Sequence, residues 1–171
     1  METFEVKRGL AKKLASEGGL AGVASKHFDN VDGDGDAFTG SHGIMTSITG
    51  EYNSLGKLVV DVSQVLPDFS DEEAMMAAND DRRRWSAFLD EATGYNSKQR
   101  GDKAKEVAKK AAKAKSSISQ ARHFMSMATN LSDETKAQAE EFISTIEGLL
   151  EAGDNTKAES TGKKLSNLLE A

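Results

Sequence analysis

Nine cations crowd one stretch of this chain. Between Lys98 and Arg122, Lys98, Arg100, Lys103, Lys105, Lys109, Lys110, Lys113, Lys115 and Arg122 stand against Asp102 and Glu106, a net of +7. The whole chain is −6, so the remainder holds 13 basic and 26 acidic residues, a net of −13. Ammonium and guanidinium groups in such a run can meet phosphates, an acidic partner, or an acidic face of the same fold. Lys103, Lys105, Lys109, Lys110, Lys113, Lys115 and Arg122 are the candidate residues for a partner or a polyanion. A bland alternative competes, because lysine favours helix and keeps an exposed face soluble. Arg82, Arg83 and Arg84 precede Trp85, the sole tryptophan, and arginines beside an aromatic ring can hold a phosphate and a stacked base. Asp80, Asp81 and Asp90 lie close enough along a helix to neutralise those arginines instead.

Carboxylates gather elsewhere. Residues 29–43, DNVDGDGDAFTGSHG, hold four glycines and four aspartates, the composition of a loop. Asn30, Asp32, Asp34, Gly35 and Asp36 follow the opening of an EF-hand calcium loop, where alternate oxygens converge and a glycine permits the sharp turn. The pattern then lapses. Ala37 stands where a branched aliphatic residue belongs, and Ser41 where a bidentate glutamate closes the site. Asn30, Asp32, Asp34 and Asp36 are therefore candidate ligands for weakly bound Ca²⁺ at most, and a solvated acidic linker is the simpler reading.

Other chemistry is missing. There is no cysteine, which removes disulfides, thiolate metal sites and a cysteine nucleophile. His27, His42 and His123 have no ligand spacing. No phosphate-cradling glycine loop, H-E-x-x-H helix or G-x-S-x-G elbow occurs. Glu72-Glu73 and Glu140-Glu141 sit on solvent-rich helical turns with no cause for a raised pKa. A non-enzymatic role is expected.

The elements that would carry these residues read as helices. Ala104, Val107, Ala111, Ala114, Ile118, Ala121, Met125 and Ala128 alternate spacings of three and four, a seam along a helix over 98–128. Most of its members are alanine, so neighbours must supply bulk. Ile48, Tyr52, Leu55, Val59, Val62 and Leu66 keep the same spacing and predict a helix over 44–66 that ends at Pro67. Residues 3–28 predict two short helices or one bent at Gly18-Gly19. Ser70 with Glu73 predicts a capping box, and Gly94 a C-cap. Beyond residue 131, Ser132, Gly153 and Asp154 or Asn155 frame a helical hairpin with seams Ala139-Phe142-Ile146-Leu149 and Ala158-Thr161-Leu165-Leu168.

The expected fold is all-α, a bundle of about five to six helices with a C-terminal helical hairpin and a Gly/Asp-rich loop after the N-terminal helices. Its expected divisions are 1–43, 44–130 and 131–171. Ten of the fifteen glycines precede residue 57, so the first region could also extend as an arm that laces subunits together. No apolar run reaches membrane-spanning length and no apolar leader opens the chain, so a soluble, cytoplasmic protein without membrane contact is expected. The functional expectation is a structural or adaptor protein working by helix packing, with a copy of itself or an assembly partner. Nucleic acid or another polyanion on residues 98–122 is the second reading, and a weak calcium-responsive module at 30–41 the third.

Overall fold

Residues 29–64, expected to form a loop and a helix, alternate instead between the two faces of a sheet. In the computed structural model, which describes residues 1–171, the chain runs β1 (Glu2–Phe4), α1 (Leu10–Ala15), α2 (Gly19–His27), β2 (Asp29–Asp34), β3 (Ala37–His42), β4 (Met45–Tyr52), β5 (Leu58–Gln64), α3 (Glu72–Thr93), α4 (Ser97–Met127), α5 (Asp133–Glu151) and α6 (Asn155–Glu170). The strands form one antiparallel sheet in the order β1-β5-β4-β3-β2. This sheet overturns the all-α, helical-bundle expectation: the fold is α+β. The chain divides into two compact units, Met1–Asp102 and Lys103–Ala171.

The physical reason for the correction lies in β4 and β5. Ile48 pairs with Val62, Gly50 with Val60 and Tyr52 with Leu58 across the ladder, so the large apolar side chains recur at every second residue and share one face. Of the supposed helical seam, Val59 pairs with Glu51 on the other face, while Leu55 and Leu66 are exposed. Ile, Val and Thr crowd these strands, as a pleated surface favours. Gly50 is required by packing, since a Cβ there would lie 2.5 Å from the Phe38 ring. Position 43 is the turn between β3 and β4, inside the first unit.

The inner face packs on the helices of the first unit. Leu14, Leu20, Val23, Phe28, Phe38, Ile48, Leu58, Val60, Phe88 and Leu89 form one buried core. Phe88 lies at its centre, with ring centroids 4.9 Å from Phe28, 5.5 Å from Phe38 and 5.4 Å from Trp85. The break at Gly18-Gly19 separates α1 from α2, both glycines taking left-handed backbone. The α3 N-cap is Asp71, which accepts the Glu73 and Ala74 amides, one residue after the expected Ser70. Ser70 instead donates to Asp68. Gly94 closes α3 with φ 75°.

The second unit is helical. Ala114, Ile118 and Ala121 of α4 share a core with Ala139, Ile143 and Ile146 of α5 and Ala158, Leu165 and Leu169 of α6. Isoleucine and leucine on the hairpin thus supply the bulk that the alanine seam lacks. Ser132 caps α5 through the Thr135 amide, Asp154 caps α6 through the Lys157 amide, and Gly153 turns between them with φ 78°. Gly162 lets α6 approach α4, because a Cβ there would meet Ser117 Oγ at 2.8 Å.

Candidate functional site

Three groupings of side chains could act on something outside the fold, two in the first unit and one in the second. The first is an imidazole held between carboxylates. His42, at the end of β3, presents Nε2 to Asp81 Oδ1 of α3 at 3.5 Å and Nδ1 to Asp29 Oδ2 at 2.8 Å, the latter without the alignment of a hydrogen bond. Asp81 is buried and accepts the Ile44 amide at 2.9 Å. Gly43 takes φ 53° against that carboxylate, so close that a Cβ would lie 2.1 Å from Oδ2. Asp81 ties the β3–β4 turn to α3 through the Ile44 amide and His42 Nε2. A cavity of only about 40 Å³ adjoins Asp81, too small for a substrate. The cluster is a structural clamp.

Glu91 makes a second clamp at the end of α2. Its carboxylate accepts from Lys26 Nζ and meets His27 Nε2, each at 2.8 Å. Partial burial would raise the Glu91 pKa, but the Lys26 and His27 hydrogen bonds and charges outweigh it and hold it low. Tyr52 donates to the Ala92 carbonyl at 2.6 Å, and burial, helped by Asp36, pushes its phenol up to about 12. Arg100 is buried against Asp90 and donates to the Tyr95 carbonyl at 2.6 Å.

The expected ligands of calcium are dispersed. Asn30, Asp32 and Asp34 lie along β2 and Asp36 in the turn that follows, strung along an extended strand rather than wrapped around one point. Nowhere do three His, Asp or Glu side chains converge to hold a metal ion. The stretch is a hairpin with Asp34 opposite Ala37 and Asp32 opposite Thr39, not the helix-flanked loop the spacing suggested. Asp32 and Asp34 share the outer sheet face with Glu51 and Asp61 and with no basic residue among their ladder partners. That face is acidic.

The cations of α4 are partly spoken for. Lys110 reaches Glu106 at 3.3 Å, and Lys103 meets the same carboxylate at 3.2 Å. Lys113 pairs with Glu159 at 3.2 Å and Arg122 with Glu147 at 2.9 Å, so the hairpin answers the basic helix. Residues 131–171 hold nine acids against four bases, which gives that answer its sign. Lys105, Lys109 and Lys115 are exposed and form no ion pair, and the first two share one face at the i,i+4 spacing. Arg82 donates to Asn79, Arg83 meets Asp80 at 3.7 Å, and Arg84 donates to the His27 carbonyl. Trp85 packs on Phe28 and Phe88, so its ring is not offered to a base.

The third grouping is apolar. An open groove of about 530 Å³ runs between the last turns of α4 and α6, lined by Ala121, Phe124, Met127, Ala128 and Leu169, with Gln120, His123, Ser166 and Glu170 also on its walls. Ala121 and Leu169 form a buried floor, while Phe124 is 44% and Met127 69% exposed. Small side chains at 121, 128 and 166 leave the space. No α5 residue lines it. The heptad reading passed over Phe124 and Met127 because they lie beside the seam that Met125 and Ala128 continue. Their i,i+3 spacing marks a second apolar stripe over the last two turns, the signal that could have found the groove.

No helix of the chain is long and apolar enough to cross a membrane. Residues 1–106 match the model of a family described as a domain of unknown function (DUF5611), a stretch that coincides with the first unit to within a few residues. No curated protein matches the chain, and no solved structure does.

Proposed function

The chain belongs to the DUF5611 family, and we propose that it is a non-catalytic interaction protein that holds a partner protein on its second unit, as a component of a larger assembly. One observation carries this reading: the α4–α6 groove with Phe124 and Met127 left in water at its edge. What sets these two side chains apart from other exposed apolar residues is the concave apolar floor beside them, the form of surface that takes a partner's apolar side chains. The first unit supports the reading by contrast, since its histidines are engaged in clamps, Asp81 tying α3 to the β3–β4 turn beside His42 and Glu91 tying α3 to His27 of α2. The test places a photo-crosslinking amino acid at position 124 or 127 of the full chain in its own cells, with position 55, an exposed leucine of the first unit, as the reference. One discrete protein adduct from 124 and 127, absent from 55, is the expected result. No adduct at 124 and 127, or the same smear at all three sites, refutes the proposal.

A second reading keeps the unpaired Lys105 and Lys109 as contacts for nucleic acid or another polyanion. Two free cations on one face support few phosphate contacts, so binding would be weak and its salt dependence shallow, with a log–log slope of about −2. Retardation of labelled duplex or single strand at low salt, lost on changing both lysines to glutamate, is the result this reading needs.

A further inference from the structure

We infer that the partner seated in the α4–α6 groove is an amphipathic helix of another protein whose apolar face is flanked by lysine or arginine. The inference rests on the reading of the groove as a protein-binding surface and adds the chemistry of what binds. Length argues for a helix. Gln120 to Ala128 covers about 12 Å of α4 at the rise of an α-helix, enough for anchors at i, i+4 and i+7 of a guest helix, which span about 10.5 Å. The floor argues the same way. Ala121, Ala128 and Ser166 are small, and small side chains let a neighbouring backbone come close, while Phe124 and Met127 stand as walls that pack around anchors.

Charge selects among occupants. Glu170 is on the groove wall, and neither α4 nor α6 has a basic residue in its last turn. α4 thus directs its unneutralised C-terminal dipole, worth a fraction of a charge, toward this end. Asp133 and Glu134 open α5 six residues after α4 ends. Arg122, the nearest cation on α4, is engaged by Glu147. The groove mouth is therefore electronegative. A second copy seated symmetrically would bring two such mouths together, and an anionic membrane surface would be repelled in the same way. Interfacial helices also need lysine or arginine beside their apolar face, and the lining of the groove has neither. A cationic, apolar helix meets both the floor and the rim.

The test titrates the full chain into a fluorescein-labelled 18-residue peptide with leucine at i, i+4, i+7 and i+11 on an Ala/Gln helix and lysine at both flanks. Two controls accompany it, one with glutamate flanks and one with the leucines scrambled. The lysine-flanked peptide should bind saturably, the glutamate-flanked one about tenfold or more weakly, and the scrambled one not measurably. Met127→Glu should abolish binding. Glu170→Gln, on an exposed position, should narrow the gap between the two flank types. Equal affinity for both flanks, binding of the scrambled peptide, or no binding at all overturns the inference. A dimer in light scattering that Met127→Glu dissolves overturns it in favour of a second copy, and cosedimentation with vesicles of phosphatidylglycerol and phosphatidylcholine overturns it in favour of lipid. If the peptides fail while positions 124 and 127 still crosslink to one protein, the interaction reading stands and only the cationic helix falls.

Discussion

Gly43→Ala and Asp81→Ala should rescue each other in part. Alanine at position 43 meets two obstacles. The backbone there has φ 53°, which costs an L-residue about 1–2 kcal/mol. Its Cβ would also lie 2.1 Å from Asp81 Oδ2, so the carboxylate must move and give up the Ile44 amide and the approach to His42. A hydrogen bond to a charged group is worth about 1.5–3 kcal/mol, which brings the single change to about 3 kcal/mol or more. Asp81→Ala alone loses the same bond and leaves the amide without its partner, again about 2–3 kcal/mol. In the double variant the obstructing carboxylate is gone, and Gly43→Ala costs only its backbone term. The coupling energy should be about 1.5–3 kcal/mol in the rescuing direction. Urea unfolding followed by the fluorescence of Trp85, the sole tryptophan and a member of the first unit's core, measures all four corners. Asp81→Asn, which keeps an acceptor for Ile44, should lose about 1 kcal/mol. Additivity of the two alanine changes within about 0.5 kcal/mol would refute the clamp.

Further outcomes follow from other contacts. Phe88→Ala empties the centre of the aromatic cluster and should cost about 3–5 kcal/mol, read by the same Trp85 signal. Gly162→Val should destabilise the second unit through its clash with Ser117, and Ser117→Gly should recover part of the loss, read as melting by circular dichroism. The Glu91 pKa is depressed in the fold, so its contribution is fully present above the ordinary glutamate value of about 4.3 and is lost as pH falls through the lower folded value; Glu91→Gln should flatten that acid limb. Tyr52 has the opposite sign. With its pKa raised to about 12, it favours the fold below the ordinary tyrosine value of about 10 and loses that contribution as pH rises toward 12, a phase of phenolate absorbance that Tyr52→Phe should remove.

The second unit was legible because its determinants are local. Ser132, Gly153 and Asp154 each act within one helical turn, and the alanine seam of α4 repeats long enough that no other structure fits it. The first unit hid its sheet behind a coincidence. Ile48, Tyr52, Val59 and Val62 satisfy a three-and-four spacing, yet a five-residue turn separates β4 from β5 and resets the phase between them. Glycines 50 and 56 are poor helix formers. They are where the Phe38 ring crosses β4 and where the chain turns with φ 73°. Residues 29–43 read as a loop because Asp and Gly are poor strand formers; pairing with β4 overrides that propensity. The clamps at Asp81 and Glu91 were invisible because they join residues 37 to 64 positions apart, which only the packing of α3 on the β3–β4 turn and on α2 brings together. Phe124 and Met127 were visible as residues but not as a site, since a groove exists only once α6 lies beside α4.

The measurement that tests the central proposal most directly is the native mass of the chain in extracts of its own cells, compared between wild type and Met127→Glu. Wild type should run in a complex larger than the free chain, and Met127→Glu, whose side chain lies on the exposed groove wall, should run as the free chain with its fold intact by circular dichroism. A wild-type chain that runs free, or a complex that Met127→Glu leaves unchanged, would contradict the proposal that this groove is where a partner is held.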